Sequence, residues 1–88
     1  MKIIKITYSS HFARNFQKVP LTIQEAALEK EKIFRKNCFD VRLKSHKLKG
    51  NLRPFWSFSI THTHRILFDF NKNGTVSFVD IGDHSLYQ

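Results

Sequence analysis

The fold is decided by the stretch WSFSITHTHRILFDFNKNGTVSFVDI, residues 56–81, in which apolar and polar side chains alternate over most of the length. A period of two is typical of β-strands that bury one face. The alternation predicts three strands, at 56–61, 65–70 and 75–81, separated by a bend and by the tight turn NKNG at 71–74. Strands joined by such short connections pair as antiparallel neighbours.

The first half of the chain adds one strand and a short helix. Alternation of β-branched with polar residues predicts a strand at 2–8. Ser9 or Ser10 then caps a helix in which Phe12 and Phe16 lie on one face. This short helix is therefore expected to bury an aromatic stripe against the sheet.

A second helix is predicted to begin at Ile23, because TIQE at 22–25 has the sequence of a capping box. It is expected to end at Asn37. Its predicted buried stripe consists of Ile23, Ala26, Ala27, Ile33 and Phe34, with Lys30 among them. The element order is then β-α-α-β-β-β. This order predicts an α+β domain in which two helices cover one face of a mostly antiparallel, four-stranded sheet, with residues 1–88 as a single domain.

The amino-acid composition limits which classes of protein this chain can belong to. Nine Phe, one Trp and two Tyr supply enough apolar surface for a core without disulfide bonds. Cys38 is the only cysteine, which rules out an intramolecular bridge and gives no support for export. The sequence has neither the pattern of a signal peptide nor an apolar run of the roughly 18 residues that a membrane span needs. We therefore expect a cytoplasmic protein without a membrane partner.

Positive charge is concentrated in the middle of the chain. The formal net charge is +8, and the segment from Lys30 to Arg53 carries nine of the 15 Lys and Arg residues with only two acids. Such a concentration attracts phosphate backbones regardless of base sequence. The charge favours a nucleic-acid partner, although a solvated surface or a docking face for an acidic protein has the same composition.

Four short motifs follow one another in the second half: HKLKG at 46–50, FWS at 55–57, HRILF at 64–68 and DIGDHSLY at 80–87. Together with the element order, this ordered set resembles the RelE/ParE superfamily of toxins from bacterial type II toxin–antitoxin systems. The RelE-, YoeB- and YafQ-like messenger-RNA interferases are the most similar branch. The resemblance covers the whole chain.

The resemblance implies an endoribonuclease that cuts mRNA in the ribosomal A site and thereby inhibits translation. It also implies a cognate antitoxin that wraps and neutralises the toxin, with a toxin–antitoxin heterotetramer as a family expectation. Two other functions stay open. One is a ParE-like inhibitor of DNA gyrase without ribonuclease activity, and the other is an inactive basic binding protein of the same fold.

RNA is cleaved without a metal ion when its own 2′-hydroxyl attacks the adjacent phosphorus. This reaction needs a base, an acid and a fixed positive charge on the phosphate. Histidine suits both proton transfers because its unperturbed pKa is about 6.5. The chain offers two histidines and an arginine in suitable places, and no cofactor or metal is expected.

His46 is the candidate base, because related interferases place a histidine or a glutamate at this position. Arg65 is the candidate for stabilising charge, since it opens a strand and projects away from Ile66. His84 is the candidate acid, with Tyr87 close behind it, as in related toxins. Which histidine is base and which is acid stays open. Both histidines also fit exposed surface positions, and Arg65 also fits a strand-end arginine paired with Asp69. Tyr87 is expected to stack on a base or to steer the phosphate, although it also fits a hydrophobic latch.

Lys47, Lys49 and Arg53 are expected to hold the RNA backbone. His62 and His64 are a weak pair for zinc, because two ligands without a nearby Cys or carboxylate rarely form a site. Trp56 shares its parity with core positions of the same strand, which favours the core over a platform for nucleobases. His11 is expected at the surface, with no assigned role.

Overall fold

The structure, a computed structural model, describes residues 1–52 and 54–83. In chain order its helices and strands are β1 Lys5–Tyr8, α1 Ser10–Lys18, α2 Leu21–Lys36, β2 His46–Lys47, β3 Trp56–Ser59, β4 Arg65–Phe70 and β5 Thr75–Gly82. Short 3₁₀ turns lie at Val41–Leu43, Gly50–Leu52 and Lys72–Gly74. Among the described residues, no helix is long and apolar enough to cross a membrane.

The strands form one sheet in the order β1-β5-β4-β3-β2, with β1 parallel to β5 and every other pair antiparallel. The predicted α+β class is confirmed, but the predicted count of four strands is wrong. The fifth strand, β2, has two residues, His46 and Lys47, which pair with Ser57 and Trp56. Two polar residues are too few to show alternation, so this strand was not predictable from local pattern.

The strand limits differ from the predicted ones mainly at the ends. The strand β4 spans the predicted residues, and β5 extends one residue further, to Gly82. The strand β3 ends at Ser59 because the chain turns earlier than predicted. The strand β1 begins at Lys5 rather than at residue 2, since Ile3 N donates instead to the Arg35 carbonyl at 3.0 Å, at the end of α2.

The first helix, α1, begins as predicted. Ser9 is its N-cap, and the Ser9 side chain accepts a hydrogen bond from Phe12 N at 2.9 Å. The same hydroxyl donates to the Val79 carbonyl at 2.7 Å, which ties the start of the helix to β5. Phe12 is buried, and Phe16 packs against the core with part of its ring exposed.

The second helix, α2, begins at Leu21, two residues before the predicted start. Pro20 is the N-cap and makes no side-chain capping bond, so the capping box predicted at 22–25 does not form. Gln24 instead reaches the end of α1, where its Nε2 donates to the Val19 carbonyl at 3.2 Å. The tight junction between the helices therefore fixes the start of α2, and Asn37 ends it as predicted.

The core is built on a group of four phenylalanines with no exposed surface. Phe34 of α2 lies over the sheet, with its ring centroid 4.9 Å from those of Phe58 and Phe68 and 5.4 Å from that of Phe78. Each fully buried ring contributes about 1.5–3 kcal/mol, and such ring pairs add roughly 0.5–1.5 kcal/mol. Of the predicted stripe of α2, Ala27 and Phe34 are buried, and Ile23, Ala26 and Ile33 pack against the core.

Replacement of Phe34 by alanine is expected to lower the free energy of unfolding by about 3–5 kcal/mol, because it leaves a cavity among three buried rings. For a domain of this size each kcal/mol lowers Tm by roughly 4–8 °C. Thermal unfolding followed by circular dichroism measures the change. Leu21→Ala is the matched control, since Leu21 lies on the same helix but is 67% exposed. Equal Tm values for the two variants would contradict the assignment of Phe34 to the core.

Candidate functional site

The strand register places two of the predicted site residues on the same face of the sheet. His46 pairs with Ser57, Ser57 pairs with Leu67, and Ser59 pairs with Arg65 in the next row. Directly paired residues project to the same face of a sheet. The phenylalanines that contact α2 occupy the alternate positions. His46 and Arg65 therefore lie on the face away from the helices, which we call the open face.

His46 and Arg65 are separated by two strand spacings and by a two-residue offset along the strands. These spacings correspond to a Cα–Cα distance of about 12 Å. Ser57 and Leu67 lie between them on this face, and both are buried, with 1% and 4% of their surfaces exposed. Two long polar side chains at this spacing are able to approach one phosphate group from opposite sides.

His46 is held at the edge of the sheet by backbone contacts. The exposed imidazole Nδ1 lies 3.0 Å from the Lys44 carbonyl oxygen. A carbonyl oxygen only accepts, so Nδ1 carries the proton in this hydrogen bond and Nε2 is left to accept one. The Ser45 hydroxyl donates to the carbonyl of the buried Cys38 at 2.6 Å, which ties the residue before His46 to the segment that follows α2. This arrangement is suited to a general base.

Arg65 is positioned by the turn between β3 and β4. The turn is closed by Ile60 N, which donates to the His64 carbonyl at 3.0 Å. Inside it, the Thr61 hydroxyl accepts from Thr63 N at 3.3 Å and from His64 N at 3.2 Å. His64 is thus part of the turn that leads into Arg65. In residues 1–52 and 54–83, no three His, Cys, Asp or Glu side chains gather closely enough to hold a metal ion.

The two lysines that follow His46 lie on the edge strand and just beyond it. Lys47 pairs with Trp56, so its side chain projects to the face of the helices, opposite to His46. Lys49 is exposed beyond the end of β2, after Leu48, whose N–H donates to the Phe55 carbonyl at 2.9 Å. Lys47 and the candidate base therefore lie on opposite faces of the sheet.

Three of the predicted site residues, Arg53, His84 and Tyr87, lie outside the described residues. Their roles in RNA binding and in catalysis stay predictions.

A polar cluster that the sequence did not indicate joins α1 to β5. Asp80 accepts hydrogen bonds from Asn15 Nδ2 at 2.7 Å and from Ile81 N at 2.8 Å. His11 Nε2 lies 3.2 Å from the other oxygen of the same carboxylate. Nothing local marks this contact, because more than sixty positions separate Asn15 from Asp80. The cluster anchors α1 beside the sheet.

An apolar groove of ≈ 370 Å³ lies on the helical side, lined mainly by Phe12, Phe16, Leu28 and Ile66 with Tyr8 at its rim. Leu28 is 53% exposed within it.

The Tyr8 hydroxyl at the rim of this groove donates to Glu31 Oε1 at 2.9 Å and lies 3.4 Å from Arg35 Nη2. Burial, helped by the Glu31 carboxylate, raises the pKa of Tyr8 above its ordinary value. The phenol therefore stays protonated at neutral pH and acts as a fixed hydrogen-bond donor.

Solved structures of toxins share this arrangement over nearly the whole chain. A YoeB/ParE toxin from Agrobacterium tumefaciens superposes with a TM-score of 0.75 at 18% identity, covering 92% of this chain and 99% of that one. The RelE–RelB complex from the archaeon Pyrococcus horikoshii gives 0.73 at 14% identity, with coverage of 94% and 96%. The chain has a RelE-like toxin fold.

A third RelE-like structure, a toxin–antitoxin complex from Mycobacterium tuberculosis, gives a TM-score of 0.70 at 19% identity and covers 97% of this chain and 95% of its own. No protein-family model matches the sequence, and no curated protein matches it. The likeness is therefore one of backbone arrangement, which the predicted resemblance anticipated.

Proposed function

We propose that this chain is the toxin of a type II toxin–antitoxin system and an endoribonuclease that cleaves mRNA on the ribosome. The observation that supports the chemistry most directly is the geometry of His46. Its Nε2 is left to accept a proton, on the same face of the sheet as Arg65. The fold and the net charge of +8 are consistent with an RNA substrate.

In the proposed reaction, His46 Nε2 removes the proton from a 2′-hydroxyl. The resulting oxygen attacks the neighbouring phosphorus, and the bond from phosphorus to the 5′-oxygen breaks. The products are a 2′,3′-cyclic phosphate and a 5′-hydroxyl, whose proton is supplied by the acid, for which His84 is the candidate. The guanidinium of Arg65 stabilises the added charge on the phosphate oxygens, which its planar fork matches better than an ammonium does.

Hydrogen bonding to the Lys44 carbonyl contributes to this reaction in two ways. It holds the tautomer in which Nε2 is the acceptor, and it stabilises the imidazolium after the proton has moved, because the Nδ1–H donor persists. The base is therefore oriented by the backbone and not by a second side chain.

Loss of the His46 imidazole is expected to slow cleavage by roughly 10²–10⁴-fold, the usual contribution of one proton-transfer group. The test compares His46→Ala and Arg65→Ala with the wild type on a ribosome-bound mRNA, and scores the cyclic phosphate ends. His62→Ala is the matched control, since His62 is an exposed histidine of the turn between β3 and β4. Full cleavage by both variants would contradict the assignment of His46 and Arg65 to the active site.

Cleavage and gyrase inhibition are separated by induction in bacteria. Expression of the wild type is expected to create new, codon-linked mRNA ends in primer extension, and these ends are expected to vanish with His84→Ala. An SOS response with intact messengers would identify a gyrase inhibitor instead. Normal growth with neither effect would identify an inactive binding protein.

We propose that the antitoxin binds in the apolar groove. Its exposed leucine and aromatic lining need a covering partner, and the positive charge of the chain selects an acidic one. An amphipathic segment with apolar residues on one side and acids on the other meets both needs. The Tyr8 hydroxyl and its carboxylate partner at the rim define the orientation of such a segment.

Leu28→Glu is expected to weaken antitoxin binding at least about tenfold, because it places an unpaired charge in the apolar groove. Titration calorimetry with the product of the adjacent antitoxin gene measures the affinity. Leu21→Glu places the same charge on the same helix outside the groove, at a site that is 67% exposed, and is expected to bind normally. Equal affinities of the two variants would place the antitoxin elsewhere.

A further inference from the structure

Three aromatic rings lie together at the β2 side of the molecule, on the face that carries the helices. Trp56 of β3 and Phe70 of β4 are half-buried, with their centroids 5.3 Å apart. Phe39, in the connector after α2, covers them at 5.7 Å from Trp56 and 6.0 Å from Phe70. Phe39 is 45% exposed. We call these three residues the aromatic surface.

Hydrogen bonds and ring contacts hold the aromatic surface in place. Phe39 N donates to Asn37 Oδ1 at 3.0 Å, and Asp40 N donates to the Asn37 carbonyl at 3.1 Å. Both bonds fix the backbone on either side of the exposed ring. The edge contacts between the rings fix the side chains. A ligand that stacks here loses little affinity to ordering of the protein.

Cations flank the aromatic surface. Lys47 is the register partner of Trp56 on the edge strand, so its side chain projects beside the indole. Lys72 follows Phe70 by two positions and is exposed. The adjacent acid, Asp40, is bound by Arg42 through two hydrogen bonds of 2.9 Å, and these bonds lower the pKa of Asp40 to about 2. Its charge is therefore already balanced at neutral pH.

We propose that the aromatic surface stacks unpaired nucleobases of a single-stranded RNA, while Lys47 contacts the phosphate beside them. Exposed rings next to lysines are the usual means by which proteins bind single strands without base selection. The inference rests on the proposed function for its ligand, and it adds a second subsite for the same strand. An acidic peptide would also be attracted by the lysines, whereas flat ring faces suit the flat faces of nucleobases.

The position of β2 at the edge of the sheet explains how one RNA strand reaches both subsites. His46 and Lys47 are consecutive residues of β2 and project to opposite faces. The sheet ends at β2, so an RNA strand is able to pass around this edge. Its phosphate group then lies at His46 on the open face, and the flanking bases lie on the aromatic surface.

The test uses the fluorescence of Trp56, which is the only tryptophan of the chain and so reports on this surface alone. The probe is a short 2′-O-methyl oligonucleotide, which lacks the nucleophile and binds without being cleaved. Saturable quenching is expected with this probe and not with an abasic strand of the same length. Phe39→Ala is expected to weaken binding roughly 5- to 100-fold, the effect of losing one stacked base.

Three further variants separate the contribution of stacking from that of charge, and two of them are controls. Val41→Ala truncates an exposed apolar side chain close to Phe39 and is expected to bind normally. Lys47→Ala is expected to keep the quenching and to reduce the slope of log affinity against log salt by about 0.7, the value for one phosphate contact on a single strand. Lys18→Ala, in α1, is expected to leave the slope unchanged.

Equal quenching by the abasic strand, or unchanged affinity of Phe39→Ala, would overturn the proposal. Equal quenching by an acidic peptide would assign the surface to a protein partner and overturn it as well. The result of this fluorescence test does not depend on whether the protein cleaves RNA. Quenching without any cleavage would leave this subsite standing while the proposed nuclease fails, and cleavage without quenching would do the reverse.

Discussion

The contact of Phe34 with three phenylalanines of the sheet decides which face of the sheet the helices cover. Phe58, Phe68 and Phe78 come from three adjacent strands and meet the one ring of α2. Because side chains alternate along a strand, a shift of one residue would exchange the two faces completely. The buried rings therefore also determine that the intervening residues, Arg65 among them, belong to the open face.

Regular alternation of apolar and polar residues made the strands of the second half predictable from the sequence. The strand at 65–70 and the turn that follows it are marked by local patterns, and the structure has them in place. The start of α2 was not predictable in the same way. The motif at 22–25 is a good local cap, but the helix already begins at Leu21 after Pro20, where Gln24 Nε2 bonds to two carbonyls at the end of α1. Such a bond depends on how two helices meet, which no local pattern records.

The positions of the candidate site residues were also only partly predictable from local pattern. The face of Arg65 follows from the parity of its own strand. The place of His46 does not, because it depends on pairing with Ser57 across an intervening loop. The same pairing sends Lys47 to the other face, although the sequence grouped the two residues. The contact of His11 with Asp80 joins distant parts of the chain and was likewise missed.

A two-residue edge strand has a property that an interior strand lacks. Interior strands separate the two faces of a sheet, so their side chains serve one face or the other. At the edge no further strand blocks the way, and consecutive residues remain within reach of one extended ligand. Under the proposed function and the proposed RNA subsite, this edge lets proton transfer at His46 and stacking near Trp56 act on the same strand of RNA.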